Sequence, residues 1–312
     1  MADPPRQAAG VNSGFLYVPA FAKVHGHWQE TMLETAQLYA WKLVARTLWP
    51  HVQAYGLYGI FALLPEMLLP YEKQSWASRL RGVFFLGLYI GLGVSMAAAI
   101  SFVMGMKHWQ PLIALDFSGA TQSTNIFVVL LGYTAVPIAA QFAHDFFYYW
   151  MHRLQHLIPA LWHFHRVHHA IEEMNAFNAN HHPIEEVVSL FLLVVPLQLL
   201  VSVSAGQIAT TIIFTYLFSG AFIHSNTRLG LGPLRYLFAE PRYHRVHHSR
   251  ATAHHDKNFA GSFPLWDVLF GTAYFVGRQE HIVTGIDEHP ECKSTRSYLL
   301  GSHRAVTVRT NK

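Results

Sequence analysis

Cysteine is nearly absent: Cys292 is the single one in 312 residues. That excludes an intrachain disulfide and any metal or iron–sulfur site built on thiolates. Charge is scarce as well. Charged residues make up 13% of the chain against 52% hydrophobic ones, about half the charged share of an ordinary soluble protein. The formal net charge of +4 is small for this length and the basic residues are scattered, so no nucleic-acid partner is expected. No glycine-rich dinucleotide motif follows a strand pattern, and there is no haem-domain signature. The opening Met-Ala-Asp-Pro-Pro-Arg-Gln lacks a charged segment leading into an apolar one, so no cleaved secretory leader is expected.

What the chain has instead is apolar length. Its mean hydropathy is positive. Residues 1–30 read as a polar N-terminal segment. Residues 31–49 place Glu34, Lys42 and Arg46 on one helical face and carry Trp41 and Trp49, the pattern of an interfacial helix ended by Pro50. Residues 52–70 are apolar but broken by Pro65 and Glu66, marginal for a span. Residues 82–106 and 117–143 carry no charge and are long enough to cross a bilayer, which takes roughly 20 residues. The run 187–223 is 37 residues without a charge. As one helix it would reach about 55 Å, against a hydrocarbon core of about 30 Å. Two short spans joined near Ser202–Gly206, with a kink at Pro196, fit better. The loop 71–81 carries Lys73, Arg79 and Arg81 while 107–116 carries only Lys107, which puts the first loop in the cytoplasm. The expected architecture is all-α: an integral membrane bundle of about four spans plus interfacial helices. It would carry a cytosol-facing histidine-rich cap within 31–275, followed by a polar tail, 276–312.

The second conspicuous feature is histidine. Nine of the 39 residues from His144 to His182 are His, and a second patch follows at His244, His247 and His248. His152 and His156 are four apart and share one helix face. His165, His168 and His169 have i, i+3, i+4 spacing, and His244, His247 and His248 repeat it. Imidazole is costly beside hydrocarbon unless it has work to do. Imidazole suits Zn, Cu, Fe and Ni, and eight or more candidates exceed the four that one tetrahedral zinc needs, so two metal ions sharing the set is the simpler count. His182 and His224 flank the long uncharged run; if that run doubles back, both patches share one compartment. Asp145, Asp256 and Asp267 are candidates to accept imidazole N–H bonds, or are solvated or ion-paired acids; of the three, Asp145 is the one expected to support the catalytic histidines from behind. Arg153, Arg166 and Arg245 are expected to pair with these acids or with lipid phosphates. Phe146 to Trp150 suit the headgroup level or a substrate entrance. His25, His27, His51, His108, His281, His289 and His303 share no spacing and read as surface residues.

Several stretches together resemble one family. They are Asp145-Phe-x-Tyr-Tyr-Trp-x-His152-Arg-x-x-His156, Leu161-Trp-x-x-His165-x-x-His168-His169, His182-Pro183 with Glu185, and His224-Ser-Asn226. With them go Pro241-x-x-His244-Arg-Val-His247-His248 and Trp266-Asp-x-Leu-Phe-Gly-Thr272. The chain is similar, over roughly 140–275, to the fatty acid hydroxylase/sterol desaturase superfamily. His181 stands where many relatives carry arginine, and Ala170 where serine is frequent. The resemblance implies a membrane-bound non-haem enzyme holding two iron ions, with dioxygen as co-substrate and a lipid as substrate. It maps the ligands to His152, His156, His165, His168, His169, His244, His247 and His248, with His182 and His224 added. It also implies a separate electron donor, a b-type cytochrome or a ferredoxin with its reductase. The setting would be the endoplasmic reticulum or a bacterial inner membrane, with the histidines cytoplasmic. Hydroxylation and desaturation are not separated. Alternatives are oxidation of a carotenoid or an alkyl ether lipid and, from another class, a non-catalytic histidine-rich metal-binding membrane protein. A transporter should carry ionisable groups along its spans, and a bis-histidine haem carrier needs histidines deep within facing ones; neither pattern is present.

Overall fold

The computed structural model describes residues 49–106, 110–115, 118–179, 181–203, 211, 214–215, 220–277, 279–287 and 289–300, all of them in the compact unit Val44–Lys312. The interfacial helix expected at 31–49, apart from its last residue, and the end of the tail lie outside the described residues.

Helix α1 runs Trp49–Leu68 and α2 Trp76–Met106. A short strand β1 (Ile113–Leu115) and a single turn α3 (Ser118–Thr121) lead to the long α4 (Ile126–Leu157). The reading of 117–143 as one span is corrected at both ends. Asn125 caps the helix by accepting the Phe127 N–H at 2.9 Å, so α4 begins there. It accommodates Pro137 and then runs past residue 143, with no further proline before Pro159. Pro159 has no N–H to donate and holds Ile158 extended, so α4 stops and α5 (Pro159–His169) starts in a new direction. That elbow turns the α5 histidines back toward His152 and His156.

Helix α6 (Pro183–Ser189) continues through a π-turn at Leu190–Val194 into α7 (Val195–Leu200). The wide turn falls just before Pro196, which cannot bond to the preceding turn. Strand β2 (Val201–Val203) pairs in parallel with β1, Ile113 opposite Val201. The expected turn at 202–206 lies mostly outside the described residues, but the chain has returned by Ile223 and His224. Two helices among the described residues are long and apolar enough to cross a membrane, Ile126–Leu157 and Pro183–Leu200. Beyond them come α8 (Pro241–His247), α9 (Leu265–Leu269) and α10 (Thr295–Leu299).

The distribution of side chains is inverted relative to a water-soluble bundle. Phe61, Leu64 and Met67 of α1, Phe127 and Leu131 of α4, and Phe191 of the π-turn are more than half exposed, while histidines, Glu66, Asp145 and Arg245 are buried. Apolar outer faces of this extent need a lipid or protein covering. Glu66, which breaks the apolar run in sequence, has an ordered task. It accepts the Ala176 and Asn226 N–H groups at 2.7 and 2.8 Å and pairs with Arg79 at 3.2 Å, tying α1 and α2 to the loops around the histidines. As far as residue 300, the tail packs on the same region. Val276 and Ile282 cluster with Val246 of α8, and Ser249 bridges to Thr284.

Candidate metal centre

The histidine patches meet. His152, His156, His165, His169 and His247 form one cage, with ligand atoms all within 4.8 Å of one another, and His168, His224, His244 and His248 form a second. Each HxxHH box is divided between them. On a helix, residues i and i+4 lie about 40° apart while i+3 falls on the other side of i. Thus His165 and His169 of α5 face the first cage and His168 the second. At α8 the division is complementary: His244 and His248 face the second cage and His247 crosses to the first.

The tautomers follow from what holds each Nδ1. His152 Nδ1 is 2.8 Å from the Phe259 carbonyl, His247 Nδ1 2.7 Å from the Lys257 carbonyl, and His165 Nδ1 2.7 Å from Glu185 Oε2. Each of these oxygens only accepts, so the proton sits on Nδ1 and the neutral ring presents a bare Nε2. Those bare atoms converge: His152 Nε2 is 3.0 Å from His165 Nε2 and 2.9 Å from His247 Nε2, and His165 Nε2 is 3.1 Å from His169 Nε2. Among His152, His165 and His247 no proton is left to bridge these atoms, so their lone pairs would repel. Imidazole nitrogens at about 2.1 Å from one cation and at right angles to each other would be about 3.0 Å apart, which is the spacing found. In the second cage the spacings are 3.3 Å for His168–His224, 3.1 Å for His224–His244 and 3.2 Å for His244–His248, and His224 Nδ1 is tied to the Gly220 carbonyl at 2.7 Å. The donor set, all imidazole and no thiolate, suits Zn, Cu, Fe or Ni.

Burial keeps these rings neutral. It holds His165 down to about 4 and depresses His168, His169, His244, His247 and His248 well below the ordinary imidazole value, neighbouring rings adding to the effect. Neutral imidazole is the ligating form.

Asp145 takes a different post from direct contact with an imidazole. It is fully buried and accepts three backbone N–H groups, from Gly261, Ser262 and Phe263, at 2.8–3.0 Å. Asp267 does the same for Phe259 and Ala260 and binds the Tyr243 and Thr272 hydroxyls. Between them these two carboxylates shape the loop whose Phe259 carbonyl fixes His152. A Cβ at Gly261 would lie 3.1 Å from Asp145 Oδ1 and crowd that carboxylate. Asp256 is the acid near a ring, 3.6 Å from His156 Nδ1.

His182 stands outside both cages. Its Nδ1 accepts the Ile184 N–H and its Nε2 faces the Leu299 carbonyl, while Glu185 accepts the His182 N–H, a reciprocal cap on α6. A ring used as a helix cap has no lone pair to offer a cage. The neighbouring His181 is the one beside the centre, grouped with His165 and Glu185. His144 stacks on Tyr148 and His254 bonds Ser249, both outside the cages. His289 lines a cavity instead of free surface. None of the three arginines pairs with Asp145, Asp256 or Asp267: Arg245 pairs with Glu72, Arg153 reaches the Tyr149 hydroxyl and Arg166 the His163 and His289 rings. The Phe259 and Lys257 carbonyls were invisible in a side-chain pattern. The one local hint is that Asp256 and Asn258 take up positive φ, a conformation these two residue types tolerate.

A cavity of about 460 Å³ opens onto the cages. His156, His169, His247 and His248 form its floor, and Arg250, Asp256, Asp287 and Trp162 stand on its walls.

Fold and site define a class: a helical protein with lipid-length apolar helices and two imidazole cages fitted for cations. Comparison with known proteins agrees. The family model described as fatty acid hydroxylase matches residues 137–272. The ornithine lipid hydroxylase OlsE of Rhizobium tropici is 31% identical over 265 residues, 81% of this chain and 75% of that protein. The alkylglycerol monooxygenases of Homo sapiens and Danio rerio are 34% and 35% identical over 146 and 148 residues, 47% of this chain in each case. The chain spans about a third of the length of these two. No solved structure matches it. This chain belongs to the fatty acid hydroxylase family.

Proposed function

We propose that the protein is a membrane-bound non-haem di-iron oxygenase that hydroxylates, or desaturates, a lipid with dioxygen and externally supplied electrons. The observation that carries this reading is the convergence of the proton-free Nε2 atoms of His152, His165 and His247 at 2.9–3.0 Å in the first cage, beside a second all-imidazole cage. His152, His156, His165, His169 and His247 would hold one iron, and His168, His224, His244 and His248 the other. Iron there would supply dioxygen reduction against a C–H bond, one oxygen atom entering the lipid and the other leaving as water with two electrons and two protons.

The chain's own residues prepare that chemistry. Phe259, Lys257 and Glu185 pin three rings with their lone pairs inward, so little reorganisation is needed. Nine neutral ligands would leave more positive charge on the cations than a carboxylate set would. The cavity is lined by charged and polar side chains mixed with Trp162 and Ile286 and, His156 of α4 apart, lies outside the two lipid-length helices. This supports an aqueous doorway for protons and for a separate electron donor, a b-type cytochrome or a ferredoxin with its reductase. The lipid would approach from the apolar side. The positive residues Lys73, Arg79 and Arg81, before and in the first turns of α2, support a cytoplasmic setting for the cages, with about four spans in an endoplasmic reticulum or bacterial inner membrane.

A relative matched over most of both chains is named an ornithine lipid hydroxylase, which favours hydroxylation over desaturation. The alkylglycerol monooxygenases favour a second reading, oxidation of an alkyl ether lipid. The test is the purified chain in lipid nanodiscs with a chemical reductant and labelled dioxygen. We expect close to two irons per chain and one labelled oxygen in acyl or alkyl lipid, read by mass spectrometry. One zinc, no iron and no labelled lipid would overturn the reading.

A further inference from the structure

Between the two cages lies a carboxylate that belongs to neither. Glu185 is 2% exposed, and both its oxygens are occupied. Oε1 accepts the His182 N–H at 2.8 Å. Oε2 accepts from His165 Nδ1 at 2.7 Å, from Gln155 Nε2 at 2.8 Å and from His181 Nδ1 at 3.2 Å. One oxygen atom therefore holds two imidazoles at once. The first, His165, presents its Nε2 to the first cage. The second, His181, lies flat on His168 of the second cage, with ring centroids 4.1 Å apart and planes 15° from parallel. The His181 carbonyl in turn accepts the hydroxyl of the buried Tyr298. The path from one cage to the other is thus a carboxylate oxygen, a hydrogen bond and a ring stack, all buried or nearly so.

We propose that Glu185 and His181 are a positioning pair that couples the two cages. This rests on the two-cation reading above. With a cation held at its Nε2, His165 would donate its Nδ1–H more strongly to Glu185 Oε2 and draw that oxygen toward the ring. The same movement sets the tilt of His181 and, through the stack, the orientation of His168. Filling the first cage thereby preforms the second. Neither residue need touch substrate or cation.

The experiment is a titration of the metal-free full-length chain in nanodiscs with Co2+, followed by its visible ligand-field bands and by bound cobalt per chain. Wild type is expected to take up two Co2+, the second tightened by the first. Glu185→Gln removes the charge and one acceptor, and should weaken the first cage by about 10- to 100-fold while abolishing the coupling. His181→Phe keeps a flat ring on His168 without the N–H. It should leave the first cage within about twofold, weaken the second by about 10-fold and shift its bands. Metal-free melting temperatures identify any merely structural effect, which would move them without changing the ratio of the two affinities. If wild type binds fewer than two Co2+, the two-cation reading itself fails. If wild type binds two and His181→Phe titrates like it, only the coupling is overturned; that variant decides alone should Glu185→Gln not insert.

Discussion

In the first cage His152, His165 and His247 each have Nδ1 tied to an oxygen at 2.7–2.8 Å. In the second, the buried Nδ1 atoms of His244 and His248 have no partner, and His224 leans on a single carbonyl. The first cage has five rings and the second four. Rings braced from behind are oriented before any cation arrives; rings without a brace acquire part of their orientation from ligation. The difference teaches that the two positions are not equivalent: the first is a stiff socket, and the second depends more on its contents.

The largest effects should come from removing a ligand on either side. His247→Ala and His244→Ala should each lower bound iron from two per chain to about one and reduce lipid oxidation to background, with the helical circular dichroism retained. Activity surviving either change would show that the cage concerned is not part of the reaction. Next is Asp145→Asn. Its three N–H donors would face an amide with one acceptor, which costs about 2–3 kcal/mol of stability. Because the loop it holds braces His152, iron affinity should fall in the first cage and not in the second. Equal loss in both would contradict the division.

Acid should act on both cages in the metal-free chain. Their buried histidines have folded pKa values below the unfolded value of about 6.5. Below that pH the unfolded chain binds more protons, so stability falls as pH drops and levels off above it. His165 alone, held down to about 4, would account for about 3 kcal/mol across that interval. A melting temperature independent of pH from 7 to 5 would contradict it. The smallest effect separates the cages directly. Under a mild chelator one iron should leave about 10-fold faster than the other, and Mössbauer spectra should assign the slow one to the five-ring site. Identical release rates would erase the distinction.

Much of the ligand set was legible before folding. The i, i+3, i+4 spacing is a local property of helical geometry, so it survives whatever the rest of the chain does. The uncharged length of 187–223 likewise implies a return, because a lone helix of that length would overshoot a bilayer. What could not be read was assignment. His181 and His182 are equivalent as letters, yet the helix cap claims His182 and leaves His181 beside the centre. Asp145 was expected to face an imidazole, and instead holds a loop whose backbone carbonyl does so. Backbone acceptors leave no residue-type signature.

By itself, then, the chain's pattern determined that imidazoles would gather at the ends of apolar helices, since periodicity and hydrophobic length act over a few turns. Only the tertiary structure decided that each HxxHH box is shared between two cages. Which ring meets which depends on the elbow at Ile158–Pro159 and on how α5 and α8 approach across the chain between His169 and Pro241, a relation that no local spacing encodes.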